Sequence, residues 1–172
     1  MKLRITILLT VVFCIKTFAL NPLFPPGSNF DLSAWKLQTL DQSLLFTEVS
    51  ANSLNTGYTS SFFYTDPTDG SIVCKVPSNG ATTSGSSYPR VEFRQMTGGA
   101  NWVLNDPTEH YLTAQCKVLA VAQAKPQTII GQIHGSNTVS ELLKLRWTGY
   151  LPKQCFLEAR RRMRGLWLKQ QH

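Results

Sequence analysis

The stretch Arg90-Val91-Glu92-Phe93-Arg94 sets two guanidinium groups at alternate positions with a carboxylate between them. On a β-strand successive side chains point to opposite faces, so Arg90, Glu92 and Arg94 share one face and Val91 and Phe93 the other. The apolar pair suits a core, and the carboxylate can hold both cations in orientation. A guanidinium is a planar fork that donates two parallel hydrogen bonds, which matches a carboxylate ligand. An ordinary solvated sheet face with cross-strand charge pairs would use the same residues. The second stretch is Gly131-Gln132-Ile133-His134-Gly135, where the same alternation places Gln132 and His134 on one face and Ile133 on the other. An amide can donate to a carboxyl group, and an imidazole titrates near neutral pH and can take up a proton. A satisfied histidine beside a polar neighbour is the plainer reading of that pair. Aimed into one cleft, the guanidinium, amide and imidazole would quench the charge of a bound acid and move a proton beside it.

The text around these stretches must supply strands to carry them. Ser61–Thr65 and Ser71–Val76 flank Asp66-Pro67-Thr68-Asp69-Gly70, a strong hairpin signal. That turn lacks the further ligands of an EF-hand calcium loop. Residues 79–87 are rich in Gly, Ser and Thr and predict a surface loop. Alternation recurs over Tyr88–Met96, Tyr111–Val121 and Thr128–His134, without helical periodicity. Many short strands with turn-rich joins predict an all-β, antiparallel sandwich or barrel. Residues 20–28 form a proline-rich lead-in, too stiff and donor-poor for regular structure. From Leu151 onward strong helix formers replace β-branched residues, and a helical, basic tail over 148–172 is expected.

The first residues read as an export signal: a short basic start at Lys2 and Arg4, an apolar run from Ile5 to Ile15, then Thr17-Phe18-Ala19. Cleavage near Ala19 would release a secreted, extracellular protein, and nothing later reaches the roughly 20 apolar residues of a membrane helix. The net charge of +7 is unevenly spread. Between Leu20 and Leu143 six bases face nine acids, so an anionic partner must be met by local cations in a groove. The bases crowd after Leu143, where Arg160, Arg161, Arg162 and Arg164 stand close together. Cys14 falls in the signal, leaving Cys74, Cys116 and Cys155; an oxidising compartment permits a disulfide, and Cys74 with Cys116 is the first pair to test. Neither cysteine spacing nor the scattered His110, His134 and His172 suggests a metal site.

Taken together, the motifs resemble a known family. Residues Ser28–Gln38 are similar to the opening of the alginate lyases of polysaccharide lyase family 7. Tyr88–Arg94 resembles that family's R-x-E-x-R strand, and Gly131–His134 its Q-[IV]-H strand. Thr82–Ser86 and Asn101-Trp102 fall where the family has similar text, and the likeness runs from about Asn29 to Arg146 in the family's order. The resemblance implies a jelly roll of two antiparallel sheets whose concave face takes an acidic sugar chain, alginate or a similar polyuronate. It implies that Arg90 and Gln132 bind and neutralise the uronate carboxylate. His134 would neutralise charge or serve as base toward one uronate epimer, while Glu92 and Arg94 orient these groups and contact sugar. No metal or organic cofactor is implied, nor nucleic acid or membrane as partner, and a monomer is expected.

One part of the family pattern is missing. Its Y-F-K-x-G-x-Y-x-Q strand, whose tyrosine protonates the leaving O4, has no counterpart here, and Thr148-Gly149-Tyr150-Leu151-Pro152 bears no likeness to it. The domain expected is therefore a partial, incomplete β-sandwich over 29–147 followed by a divergent tail, with catalysis impaired or the fold unstable. A secreted, non-catalytic carbohydrate-binding sandwich would share the groove without the acid. A third reading takes the basic tail, Arg160–Arg164 with Trp167, as a membrane or nucleic-acid contact.

Overall fold

The computed structural model describes residues 19–95, 110–135, 141–149, 153–162 and 165–171. The expected signal segment up to Phe18, the Asn101-Trp102 text and Tyr150 lie outside the described residues. Among the described residues two short helices, α1 (Pro26–Asn29) and α2 (Ala51–Asn55), accompany ten strands. The strands are β1 (Trp35–Leu40), β2 (Phe46–Val49), β3 (Phe63–Thr65), β4 (Ile72–Cys74), β5 (Glu92–Gln95), β6 (His110–Val118), β7 (Gln127–Ile133), β8 (Leu143–Thr148), β9 (Lys153–Arg162) and β10 (Gly165–Gln171). Every pairing is antiparallel, in sheets ordered β2-β1-β5, β10-β9-β6, β3-β4 and β7-β8. The all-β expectation holds.

Strand β1 lies between β2 and β5, with Leu37 opposite Val49 on one side and Phe93 on the other. Leu37 is fully buried and Val49 nearly so. They join Leu32, Leu40, Leu54, Phe62, Phe63 and Val91 in one core. Phe93 completes that core edge-on: its ring stands 6.0 Å from Trp35 and 5.5 Å from Phe63, both in T-shaped contact. Val91 and Phe93 thus face inward, as the alternation of their segment predicts.

The β3–β4 hairpin forms around Asp66, as expected. The Asp66 carboxylate accepts from the Thr68 backbone N–H at 2.8 Å, and Gly70 takes a left-handed φ of 77° to close the turn. The β1–β2 turn does without glycine: Leu44 carries φ 63°, an unfavourable value for an L-residue, while its side chain packs on the core. Asp41 steadies this turn by accepting from the N–H groups of Ser43 and Leu45.

Three local expectations are corrected. The proline-rich lead-in contains a helical turn, α1, because Pro26 sits in the first turn where an N–H would have no partner anyway. Gly27 lets this turn lie against α2, since a Cβ there would stand 2.0 Å from the Leu54 carbonyl oxygen. Helix α2 itself was not expected; its signal is Ser50, whose hydroxyl caps the N–H of Ser53 at 3.2 Å.

The third correction concerns the tail, which is strand and not helix. Along β9, Cys155, Leu157 and Ala159 stand opposite Cys116, Ala114 and Leu112 of β6, and Leu157 and Ala159 also stand opposite Gln170 and Leu168 of β10. The intervening positions carry Gln154, Phe156, Glu158 and Arg160. That period of two matches the alternation on β6, where Leu112, Ala114 and Cys116 are half-buried and Thr113, Gln115 and Lys117 exposed. Helix propensities differ by only a few tenths of a kcal/mol per residue, and a ladder on both sides of β9 outweighs them. The candidate bridge between Cys74 and Cys116 is not formed either. Cys74 is a free thiol opposite Phe63, and the residue opposite Cys116 is Cys155.

Phe63 is fully buried and links Phe93 to Tyr58, whose ring stacks on it at 6.1 Å. Replacing Phe63 with alanine is expected to cost about 3–5 kcal/mol. Urea unfolding should show the midpoint falling with an unchanged slope, whereas an unmoved midpoint would mean that these rings do not hold the core.

Candidate functional site

The face of the β2-β1-β5 sheet opposite the core is polar. Gln38 stands across from Glu48 on β2 and Glu92 on β5, and Lys36 across from Arg94. Arg90 approaches from just before β5, its Nη1 donating to Glu92 Oε1 at 3.1 Å. On the other side Glu48 accepts from Lys36 Nζ at 2.8 Å and from Gln38 Nε2 at 2.7 Å. Three cations, Lys36, Arg90 and Arg94, therefore share this face with two carboxylates, Glu48 and Glu92. Arg90 and Glu92 are partly shielded, at 23% and 32% exposure, which keeps them reachable while limiting their motion. Gln38 Oε1 is buried with no partner, so an unused acceptor sits in the same row.

The second set lies on the β7–β8 hairpin. Ile133 is 4% exposed while Gln132 and His134 on either side are half-buried, which is the alternation expected. Gln132 stands opposite Lys144, and Ile129 opposite Arg146, on one face; Leu143, Leu145 and Trp147 occupy the other. A bulge between Ile129 and Gly131 adds one residue to β7, and so lets Ile129 and Gln132 lie on the same side despite odd spacing. Gln132 Nε2 donates to Glu141 Oε1 at 2.8 Å, and Lys144 pairs with that same oxygen. The amide is thereby held in one orientation with its carbonyl oxygen and second N–H left over.

The structure groups Arg90, Glu92 and Arg94 as expected, and places Gln132 on β7 with His134 immediately after its end. It puts the two sets in different hydrogen-bonded sheets. What joins them is a contact before each strand: Lys125 Nζ donates to the Tyr88 hydroxyl and lies 4.6 Å over that ring. Lys125, with Arg146 further off, holds the Tyr88 hydroxyl below the usual phenol range. Gln132 is five residues further along β7 from Gln127, roughly 15 Å at the usual strand rise. Lys36, Gln38 and Glu48 were not singled out as site residues, although the alternation of Trp35-Lys36-Leu37-Gln38 could have shown the face they share. Glu141 and Lys144 carried no such signal, because their role depends on the β7–β8 register. Among the described residues no group of three or more His, Cys, Asp or Glu side chains could hold a metal ion.

Hydrogen bonds from Lys36 and then Gln38 hold the Glu48 carboxyl below its ordinary value of 4.5. A depressed folded pKa means stability that is present above the ordinary carboxylate range and lost as pH falls through the folded value. Glu48 is 40% exposed, so solvent screens the pair and the effect is small. Glu48→Gln should be slightly less stable than the parent near neutral pH, with the gap closing in acid. Thermal melts across pH 2–7 check this, and a constant gap would remove Glu48 from the network.

The alginate lyase family model matches residues 30–162, continuing past Arg146 through β8 and β9. The structure is similar to that of alginate lyase A1-II', a member of polysaccharide lyase family 7, with a TM-score of 0.69 and 31% identity over 85% of this chain and 76% of that one. A variant of the same enzyme in complex with product (GGG) aligns with a TM-score of 0.70 and 31% identity, over 86% of this chain and 77% of that one. The alginate lyase from Corynebacterium sp. shares the fold at 22% identity and a TM-score of 0.72, over 87% of this chain and 77% of that one. No curated protein matches the chain. With its antiparallel sheets, its R-x-E-x-R strand and its Q-I-H strand in family order, the chain belongs to the alginate lyases of polysaccharide lyase family 7 and has their jelly-roll architecture.

Proposed function

We propose that this chain binds alginate or a closely related polyuronate across the polar faces of β5 and β7, in a site built for β-elimination. The observation that carries the reading is the family match over residues 30–162, which includes both polar constellations. The product complex of the similar A1-II' enzyme supports a polyuronate as the ligand class. In β-elimination a base removes the C5 proton, the electrons form the C4–C5 double bond, and the bond from C4 to the leaving oxygen breaks. The C5 proton is too weakly acidic while the neighbouring carboxylate keeps its charge, so donors aimed at that group lower the barrier. Arg90 and Gln132 take this role, with Glu92 and Glu141 holding them in place. Arg94 contacts sugar beside Glu92, and His134 neutralises charge or accepts the proton from one epimer. Lys144 and Arg146 add local positive charge on the Gln132 face, which a slightly acidic body needs in order to meet a polyanion. The Tyr88–Lys125 contact favours the view that the two sheets line one groove.

The leaving oxygen must regain a proton, and this sequence has no Y-F-K-x-G-x-Y-x-Q stretch to give it. We therefore propose that a polypeptide of this sequence, exported by residues 1–19 and acting as a monomer, binds the polymer and cleaves it poorly. Loss of a general acid costs on the order of 10²–10⁴ in rate. The same absence favours, as second reading, a secreted carbohydrate-binding sandwich with no catalysis. Calorimetric titration with alginate oligomers, run beside an absorbance assay for unsaturated uronate, separates these readings. Binding should be retained, and Arg90→Ala should weaken it roughly 10- to 100-fold, as expected for a charge-assisted hydrogen-bond donor. Slow product formation that Arg90→Ala abolishes supports the impaired lyase, binding with no product supports the module, and an affinity unmoved by Arg90→Ala overturns both.

A further inference from the structure

We infer that Cys116 and Cys155 form a disulfide that clamps β9 onto β6. The two residues are direct partners in the antiparallel ladder, in a run of pairs that continues unbroken from His110 opposite Arg161 to Val118 opposite Lys153. Residues directly opposite one another project to the same face, with Cα atoms about 4.5 or 5.5 Å apart according to the hydrogen-bonding of the pair. Both spacings fall within the roughly 4.4–6.8 Å between Cα atoms that a disulfide spans, so the register is compatible with the bond. The remaining thiol has no such geometry, since Cys74 stands opposite Phe63 on a two-stranded hairpin.

The surroundings favour persistence of the bond. Cys116 shares its face of β6 with the half-buried Leu112 and Ala114, while Gln115 and Lys117 on the other face are exposed. The register continues that apolar row onto Leu157 and Ala159 of β9. Cys116 is itself half-buried, and a partly covered sulfur is less open to attack by an external thiolate.

The chain between the two cysteines contains all of β7 and β8, hence Gln132, His134, Glu141 and Lys144. Bonding its ends would fix the base of the segment that carries one half of the candidate site. Formation removes two electrons and two protons from the thiols. The oxidant is a disulfide donor, a small-molecule or enzymatic disulfide of an oxidising compartment, which is itself reduced to two thiols.

The test uses the full chain equilibrated in a mixed oxidised and reduced glutathione buffer, alkylated, and digested without reduction. Mass spectrometry should find the Cys116 and Cys155 peptides joined and lighter by two hydrogens than their sum, with Cys74 alkylated. Reductant should lower the melting temperature of the parent and of Cys74→Ser, and leave that of Cys155→Ser unmoved. Alkylation of both Cys116 and Cys155, or a bond from either to Cys74, overturns the inference. The peptide map of the parent protein decides the matter even if a variant fails to fold.

Discussion

Strand β1 is hydrogen-bonded to a neighbour on each side, and that placement governs what the rest of the β2-β1-β5 sheet can do. Its period of two splits the sheet into an apolar face, with Leu37 between Val49 and Phe93, and a polar one, with Gln38 between Glu48 and Glu92. A one-residue slip would turn Lys36 and Gln38 into the core and Leu37 out to water. The burial of Leu37 and the aromatic contacts of Phe93 make such a slip costly. Packing on one side thus fixes the positions of charged groups on the other, so that the sheet presents an ordered row of cations.

The charged groups are arranged by carboxylates as much as by the backbone. Glu92 holds Arg90, Glu48 holds Lys36 and Gln38, and Glu141 holds Gln132 beside Lys144. Each pair is partly exposed, so its contribution to stability is slight. Its value lies in orientation: a long side chain already restrained loses less freedom when a ligand binds. The arrangement also keeps cations in excess on the β5 face without stacking unbalanced charge against the core. That balance suits a surface meeting an anionic chain, while the body of the protein carries slightly more acids than bases.

Much of the site was legible because it consists of strand text. The faces of Arg90, Glu92 and Arg94, and of Gln132 and His134, follow from alternation alone, as does the inward direction of Val91, Phe93 and Ile133. The same reasoning should have reached the tail, where Cys155, Leu157 and Ala159 also alternate. Residue-type propensity masked it: Leu, Glu, Ala and Arg favour helix in isolation, and β6 supplied the competing partner. Helix α2 was hidden for a related reason, since five residues are too few to show a period and only the Ser50 cap marks them.

What the sequence determined by itself is local: where strands run, which side of each is apolar, and how the Asp66–Gly70 turn closes. Alternation and turn chemistry depend on neighbours a few residues apart, so they are written in the order of residues. Only the tertiary structure decided that β1 lies between β2 and β5, that Glu141 restrains Gln132, and that Cys116 meets Cys155 and not Cys74. A backbone ladder offers the same N–H and C=O groups to any strand. The choice of partner therefore rests on the summed packing of distant side chains, which no short stretch of the chain records.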